Sequence, residues 1–129
     1  LPAPGLINGF EFTFPQGIRF DHCIYDGFEV KSDFDPMIGK LIAYGHNRDV
    51  VIRKMRSALN GLAIEGIKNN ISLHRVIVDE ETFKSGHYTT NYISEVAPQE
   101  RVEELKKTEE LYKKAISMEM VAIQERRGL

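Results

Sequence analysis

The sequence predicts an α+β domain of short strands and two or three helices, followed by one long helix. Residues 6–45 carry the strand signal, which is clearest where apolar and polar side chains alternate with period two. From Asn47 onwards, the apolar side chains recur at helical spacing. Residues 99–127 carry seven acidic and seven basic side chains, a density typical of a solvated helix.

Four strand candidates occupy the first third of the chain. The first is predicted from the alternation of Phe10, Phe12 and Phe14 with Glu11 and Thr13. Turns at residues 15–17 and 25–27 separate the later candidates, which are residues 18–24, 28–30 and 37–44. Short strands joined by tight turns favour antiparallel pairing.

Two helices are predicted in the middle of the chain. Asn47 is expected to cap the first, because its side chain can accept from the backbone N–H groups of the first turn. One face of that helix carries Val51, Met55, Ala58, Leu59 and Leu62. After a loop, Asn70 or Ser72 is expected to cap the second helix. Residues 82–86 indicate a short turn or helix stop, and residues 88–96 allow no assignment.

One long helix is predicted from Gln99 to a stop near Gly128, with Pro98 suited to its first turn. Its apolar stripe comprises Val102, Leu105, Tyr112, Ile116, Met120 and Ile123. The second half is apolar on more than one face, so it must pack on this domain or on a partner chain. The pattern therefore divides the chain into a domain, residues 1–96, and a helical extension, residues 97–129.

Composition excludes several classes of function. Apolar residues make up 42% of the chain, which is enough for a core, and the net charge of −2 gives no footprint for nucleic acid or an anionic membrane. No apolar run approaches the roughly 20 residues of a membrane span. Cys23 is the only cysteine, which excludes a disulfide framework and favours a cytoplasmic location. The first residue is Leu1 rather than methionine, as expected of a cut within a longer protein or a processed start.

A search for catalytic chemistry gives no self-contained active site. The chain lacks a phosphate-binding loop, a dinucleotide fingerprint and a zinc-ligand spacing. Its histidines, none at helical i,i+4 spacing, are His22, His46, His74 and His87. His22 and Cys23 are neighbours in a predicted strand, so their side chains should lie on opposite faces. Ordinary structural or surface histidines are thus favoured over a metal site, and no catalytic, cofactor-binding or metal-binding residue is predicted.

Four further groups each have two interpretations. Asp33 and Asp35 could do acid–base work, but turn aspartates and a strand-start cap are favoured. A basic run on the first helix could form an anion-binding patch, but a solvated helix face is favoured. The run comprises Arg48, Arg53, Lys54 and Arg56. The phenylalanines of the first third could form a base-stacking platform, but a hydrophobic core face is favoured. They are Phe10, Phe12, Phe14, Phe20, Phe28 and Phe34. Core packing and a partner-binding groove are equally favoured for Met118, Met120 and Ile123.

Six segments in the same order resemble the C-terminal domain of biotin carboxylases. They are residues 17–30, residues 34–42 with Gly45 and Arg48, and residues 55–59, 65–71, 83–86 and 90–93. Residues 17–30 look like the family's first hairpin, and residues 34–42 like its most distinctive motif. Asn69 departs from the family, which usually has threonine there. The resemblance covers residues 3–95 and implies a small antiparallel sheet flanked by helices, a rudimentary hybrid motif.

The resemblance also implies a parent reaction. In a biotin carboxylase, ATP phosphorylates bicarbonate, and the CO2 that is released carboxylates biotin on a carrier protein. The parent would use ATP, magnesium, bicarbonate and biotin, all handled by a preceding ATP-grasp domain. The expected partners are that domain, a second subunit of a homodimer, the biotin carrier protein and carboxyltransferase subunits of an acyl-CoA or pyruvate carboxylase. This chain alone is expected to bind no cofactor and to be inactive.

Three residues are expected at an interface because of the resemblance. Arg19 falls at a family position associated with the subunit interface of bacterial dimers. Asp35 is the motif aspartate that faces the same region, towards the active-site side. Gln16 stands where related enzymes carry an interface residue that is often aromatic. Alternatively, the chain is a non-catalytic interaction module whose long helix docks a partner subunit.

Overall fold

The computed structural model describes residues 3–33, 35–96 and 99–127. In that part, six strands and five helices follow in the order β1 (Gly5–Leu6), β2 (Gly9–Phe12), β3 (Ile18–His22), β4 (Glu29–Val30), β5 (Gly39–Ala43), α1 (Arg48–Asn60), β6 (Leu62–Glu65), α2 (Ile71–Asp79), α3 (Glu81–Ser85), α4 (Tyr92–Val96) and α5 (Gln99–Arg126). The predicted α+β class, with antiparallel strands and a long final helix, is confirmed.

Antiparallel ladders of two strands each join β1 to β4, β2 to β6 and β3 to β5. The hairpin expected within residues 17–30 is wrong, because β3 and β4 pair with different strands. The turn before β4 is held by Ile7, which is fully buried. Ile7 donates its N–H to the Phe28 carbonyl at 2.9 Å, and its own carbonyl accepts from the Gly27 N–H at 2.7 Å. These bonds draw β4 onto β1 and away from β3.

Rings on two ladders hold those ladders face to face. Phe10 and Phe12 of β2 lie 6.2 and 5.8 Å from Phe20 of β3, measured between ring centroids. His22 of β3 lies 5.1 Å from Phe10, and Phe14, just beyond β2, stacks on Phe12 at 4.9 Å. We call these five rings the aromatic cluster. The alternating phenylalanines therefore form an apolar packing face, but not the core face that the sequence predicted, because none of these rings is among the buried residues.

Helix α1 begins as the sequence predicts. The Oδ1 atom of Asn47 accepts from the Val50 N–H at 2.9 Å, so the predicted N-cap is confirmed. Helices α1 and α2 pack against each other. Their buried side chains are Ile52, Ala58 and Leu59 in α1 and Val76, Ile77 and Val78 in α2. This contact is the core of the helical half of the domain.

The end of α1 corrects one prediction. Leu62 belongs to β6 rather than to the apolar stripe of the helix, because the helix stops at Gly61. The Gly61 N–H donates to the Ser57 carbonyl at 3.0 Å. A Cβ atom on Gly61 would lie only 2.1 Å from the Thr13 carbonyl oxygen. The chain following β2 therefore passes too close for any side chain at this position.

The N-terminus of α2 is capped differently from the prediction. Asn70 occupies the N-cap position, but its side chain makes no capping hydrogen bond, and Ser72 lies within the helix. Instead, the Oδ1 atom of Asn69 accepts from the Ile71 N–H at 3.1 Å. The Nδ2 atom of Asn69 also donates to the Ile64 carbonyl at 3.2 Å, which ties α2 to β6.

Arg48 joins the start of α1 to the end of α3. Its Nε–H donates to the Lys84 carbonyl at 3.0 Å, and its guanidinium lies 5.1 Å from the centroid of the Phe83 ring. Helix α3 ends at Gly86, whose φ of 78° is in the left-handed region, so the predicted helix stop is confirmed. Helix α4 lies in the segment that the sequence left unassigned.

Two of the other basic side chains of α1 also contact this chain. Lys54 donates to the Tyr44 carbonyl at 3.1 Å, and Arg56 donates to Asp79 at 2.6 Å. Arg53 is exposed. Because three of the four basic groups already hold oxygen atoms of this domain, the helix does not present an open anion-binding patch.

Helix α5 packs on α2 through its first turns, where Val102 is buried. Ion pairs of Arg101 with Glu80 and of Arg75 with Glu109 flank this contact. The predicted long helix is confirmed. Pro98 and Gly128 lie outside the described residues, as do the side chains of Tyr112, Ile116, Met120 and Ile123.

We expect Gly61→Ala to destabilise the domain more than Gly27→Ala. At Gly61 the new methyl group meets a backbone oxygen, so α1 or the chain after β2 must shift, at a cost of about 1–3 kcal/mol. At Gly27 the φ of 90° is strained for alanine, by about 1 kcal/mol, but no atom lies within 4 Å. Urea unfolding followed by circular dichroism measures both. Equal midpoints for the two variants would contradict the close approach.

Candidate functional site

The β3–β5 ladder carries the residues with functional expectations. Its register pairs Ile18 with Ala43 at one end and His22 with Gly39 at the other. Because directly opposite residues share a face, one face presents the rings of Phe20 and His22. The other face presents Arg19, Asp21 and Lys40 beside Ile42, and we call it the polar face.

On the polar face, Arg19 and Asp21 form an ion pair. The Nε atom of Arg19 lies 3.2 Å from Oδ1 of Asp21, and the two side chains are 70% and 52% exposed. A pair this exposed contributes at most about 1 kcal/mol to folding. Arg19 is thus held loosely by its own domain and can exchange Asp21 for a carboxylate on another chain at little cost.

Gln16 lies in the turn that leads into β3 and is exposed. The next residue, Gly17, adopts a φ of +87° and accepts from the Tyr44 N–H at 3.0 Å. A Cβ atom on Gly17 would lie 2.7 Å from Nζ of Lys54, so glycine allows this turn to approach α1. Gln16 and Arg19 therefore lie near the same end of the ladder.

Asp35 lies at the opposite end of the ladder, four residues before Gly39. Its Oδ1 atom accepts from the Met37 N–H at 2.9 Å, the local cap that the sequence favoured. His22, the ladder residue nearest to this end, is about 10 Å along the strand from Arg19. Within the described residues, no hydrogen bond or ion pair joins Asp35 to Arg19 or Gln16. The structure brings together two of the three expected interface residues, not all three.

The aromatic cluster on the other face is only partly buried. Phe12 is 47% exposed, and none of the five rings belongs to the buried core. Gly39 lets the cluster form, since a Cβ atom there would lie 2.8 Å from Cε2 of Phe20. Phe28 is not a member, because it packs on Tyr25 at 5.3 Å, and Phe34 lies outside the described residues.

The histidine and cysteine side chains differ in their surroundings. The ring Nδ1 of His22 lies 3.1 Å from the Ile24 carbonyl, and Cys23 is exposed. Partial burial lowers the pKa of His74. Over the described ranges, no group of three or more His, Cys, Asp or Glu side chains could hold a metal ion. In the same part of the chain, no helix is long and apolar enough to cross a membrane.

A cavity of about 380 Å³ lies between α1, α2 and α5, and its arginines are Arg56, Arg75 and Arg101. Each is paired, with Asp79, Glu109 and Glu80 respectively. Arg75 also donates to the carbonyls of Leu59 and Leu62. These ion pairs join the helices around the cavity.

Sequence reasoning missed one surface residue. Tyr44 was expected at the end of a mostly apolar strand, yet it is 71% exposed. Lys54 holds it, with Nζ 5.5 Å from the ring centroid. A tyrosine directly before the glycine that ends the strand was the available signal, because a ring at a strand end has fewer neighbours than one in the middle.

The sequence model of the family described as the biotin carboxylase C-terminal domain matches residues 1–95. The biotin carboxylase of Haemophilus influenzae is 42% identical over 93 residues, which is 72% of this chain and 21% of that protein. The mitochondrial propionyl-CoA carboxylase alpha chain of Caenorhabditis elegans is 38% identical over 100 residues, which is 77% of this chain and 14% of that protein.

Solved structures agree with these sequence matches. The biotin carboxylase domain dimer of Hydrogenobacter thermophilus 2-oxoglutarate carboxylase, in complex with MgADP, ADP and bicarbonate, superposes with a TM-score of 0.73 at 33% identity. That match covers 75% of this chain and 21% of the other. A biotin carboxylase subunit of pyruvate carboxylase gives 0.71 at 37% identity, over 74% and 21% of the two chains. The chain thus spans about a fifth of the biotin carboxylases that it matches.

We expect Gly39→Ala to lower stability by about 1–3 kcal/mol, because the new methyl group forces the Phe20 ring to turn. Phe20→Leu alone should also destabilise, by removing ring contacts. Combined, the two substitutions should cost less than their sum, since the smaller side chain leaves room for the methyl group. Thermal unfolding of all four proteins measures this coupling. Strict additivity would show that Gly39 and Phe20 do not meet.

Proposed function

The chain belongs to the biotin carboxylase C-terminal domain family, and from this premise we propose that it is the C-terminal structural and interface domain of a biotin carboxylase. The whole enzyme would use ATP and bicarbonate to carboxylate biotin on a carrier protein. This chain would supply packed support and contact surfaces, and the preceding ATP-grasp domain would perform the chemistry.

The partly open aromatic cluster is the observation that carries the proposal. The cluster holds two ladders together, yet none of its rings is among the buried residues. Apolar patches left open on a domain commonly mark a surface that another unit covers. We propose that the remainder of the carboxylase covers the cluster, and that the polar face with Arg19 and Gln16 meets a second subunit. Asp35, at the far end of the ladder, would face the active-site side.

The cofactors of the whole enzyme are assigned to its other domains. We propose that ATP, magnesium, bicarbonate and biotin bind outside this chain. The arginines of the chain support that assignment, because Arg48, Arg56 and Arg75 already donate to oxygen atoms that hold the helices in place. Bound MgADP and bicarbonate in the Hydrogenobacter thermophilus domain dimer support the same cofactors and a homodimeric parent. A cytoplasmic enzyme is proposed, together with carrier and carboxyltransferase partners.

A second function concerns α5, which begins beyond the residues matched by the family model. Val102 and Glu109 anchor its first half on α2. Leu111 and Met118, further along, are 69% and 65% exposed. These apolar side chains favour a helix whose outer half docks a carrier or carboxyltransferase subunit. The division of the chain between residues 96 and 97 is part of this proposal.

A chimera tests the main proposal. Residues 1–95 would replace the matching segment of the Haemophilus influenzae biotin carboxylase. We expect the chimera to release phosphate from ATP only when bicarbonate and biotin are both present, because the foreign domain restores the support surface. The isolated 129-residue chain should release none. Turnover by the isolated chain, or a folded chimera without biotin-dependent turnover, would contradict the proposal.

Truncation tests the role of α5. Removing residues 111–129 keeps the Val102 and Glu109 contacts, so the free energy of unfolding of the domain should change by no more than about 0.5 kcal/mol. A whole biotin carboxylase that carries the truncated domain should no longer co-sediment with carrier and carboxyltransferase subunits. Replacing Leu111 and Met118 by glutamine should have the same effect without shortening the helix. Undiminished co-sedimentation of both variants would exclude α5 as the dock.

A further inference from the structure

We propose that the outer side of α5 binds an acidic amphipathic helix of a partner protein. This inference rests on the second function proposed for α5 and deepens it, because it gives the chemistry of the partner and the residues that select it. The partner helix would present a narrow row of apolar side chains with glutamate or aspartate along its flanks.

Helix α5 extends well past the helix that supports it. Its 28 residues span about 42 Å, whereas the nine residues of α2, on which it packs, span about 14 Å. Arg101, Val102 and Glu109 fasten α5 to the domain, and all three lie in its first three turns. The part of the helix after Glu109 is therefore long enough to meet another chain.

Leu111, Ala115 and Met118 form an exposed row on this later part of α5. Leu111 and Met118 are 69% and 65% exposed, and Ala115 is also exposed. Steps of four and three residues place all three on one face of a helix. Leu111 follows the buried Val102 by nine residues, or two and a half turns, so this face points away from α2. We call these three residues the outer stripe.

The pattern of the outer stripe suits a partner helix. Apolar side chains that recur at four- and three-residue steps fit between the ridges of a second helix that crosses at a small angle, as in coiled coils. Ala115 is small and lies between two long side chains, so the partner can approach closely at the middle of the stripe. The outer stripe thus offers one recess between two protrusions.

The charge beside the outer stripe selects the partner. Lys107 and Lys114 lie four residues before Leu111 and Met118, so both stand along one edge of the stripe. Both lysines are exposed, and neither takes part in an ion pair among the residues that the structure describes. Charged side chains at the edge of an apolar helix seam set partner choice by pairing with opposite charges on the partner. These two lysines therefore favour a helix that carries carboxylates.

The glutamates of α5 leave this edge basic. Glu103 and Glu110 stand four residues before the two lysines, one row further round the helix from the outer stripe. Exposed i,i+4 pairs of this kind are weak, so a carboxylate on a docked partner can replace them. The edge thus remains available to acidic groups that arrive with an apolar face.

An anionic membrane surface is the other target for a helix with apolar and basic side chains. Interfacial helices bury a wide apolar face that commonly includes Trp or Phe. The outer stripe is only about 11 Å long and contains no aromatic ring. Glu104, seven residues before Leu111, also places a carboxylate on the same face. A protein helix fits these features better, because it can set a polar side chain opposite Glu104.

Two synthetic peptides test the charge preference. Both would form amphipathic helices with a seam of leucine and alanine, one flanked by glutamates and the other by lysines at the same positions. Fluorescence anisotropy of each labelled peptide would be followed as the 129-residue chain is added. We expect the acidic peptide to bind at least tenfold more tightly at low salt, with a smaller difference at high salt because ions screen exposed charges. Equal affinities, or no binding of either peptide, would overturn the proposal.

Charge reversal provides the matched comparison, with circular dichroism to verify that each variant is folded. Lys107→Glu combined with Lys114→Glu should make the basic peptide the tighter ligand by about tenfold. Lys106→Glu combined with Lys68→Glu changes the net charge equally at exposed lysines away from the outer stripe, and should keep the preference for the acidic peptide. A reversed preference in this control, or an unchanged one in the first variant, would contradict the assigned edge.

Ala115→Gln tests the close approach at the middle of the outer stripe. Glutamine is a good helix former, so α5 should remain intact, but its longer side chain would hold the two helices apart. We expect the acidic peptide to bind about tenfold more weakly to this variant. Undiminished binding would show that the partner does not pack over Ala115.

Photocrosslinking tests the contact in a whole biotin carboxylase that carries this chain. Position 111 would carry p-benzoylphenylalanine, and carrier and carboxyltransferase subunits would be present. We expect crosslinks to a helical segment with acidic residues beside its apolar row, whereas the same probe at Tyr25, which is 60% exposed, should not reach that segment. Crosslinks to a strand or a basic segment, or none at all, would overturn the proposal. Flotation of the chain with phosphatidylglycerol vesicles that depends on Leu111 and Met118 would assign the outer stripe to a membrane instead.

This proposal and the carboxylase role fail in different ways. An active chimera, together with an α5 that binds both peptides equally, would overturn the acidic partner and leave the carboxylase role intact. An inactive chimera, together with a peptide preference that reverses with the two lysines, would support the acidic partner and overturn the carboxylase role.

Discussion

The packing of five rings between two ladders is the contact on which the rest of the fold depends. A ladder of two strands is marginal in water by itself and needs a covered face. Here Phe10 and Phe12 on one ladder meet Phe20 and His22 on the other, and Gly39 leaves the space for that meeting. The two faces of the β3–β5 ladder therefore differ. The inner face carries the aromatic cluster, and the outer face remains polar.

The helices add stiffness by a different means. Apolar packing joins α1 to α2, while arginines bind carbonyl oxygens at the points where helices end. Arg75 reaches the end of α1, the start of β6 and Glu109 of α5 at once. A guanidinium suits this position because its five donors lie in one plane and can serve several acceptors. The long helix is in this way fastened to the same core as the strands.

The sequence predicted the features that depend on neighbouring residues, but it missed those that depend on residues far apart in the chain. The Asn47 cap and the stop at Gly86 depend on hydrogen bonds within a few residues, so the pattern contains them. The pairing of Phe12 with Leu62 depends on residues far apart in the chain, and β6 was therefore missed. For the candidate site, the resemblance supplied Arg19, Gln16 and Asp35, but only the register of β3 with β5 reveals that Asp35 lies at the far end. The exposure of Tyr44 follows from its few neighbours, which no periodicity records.

The long sequence separation between the paired strands β2 and β6 has a consequence during synthesis. β2 leaves the ribosome some fifty residues before its partner β6. At translation rates of about 5–20 residues per second, the phenylalanines of β2 wait for seconds without the strand that fixes their register. Throughout that delay the nascent chain offers an apolar, strand-prone segment to chaperones or to neighbouring nascent chains. The ladder order thus sets the interval during which this domain is most open to misassembly.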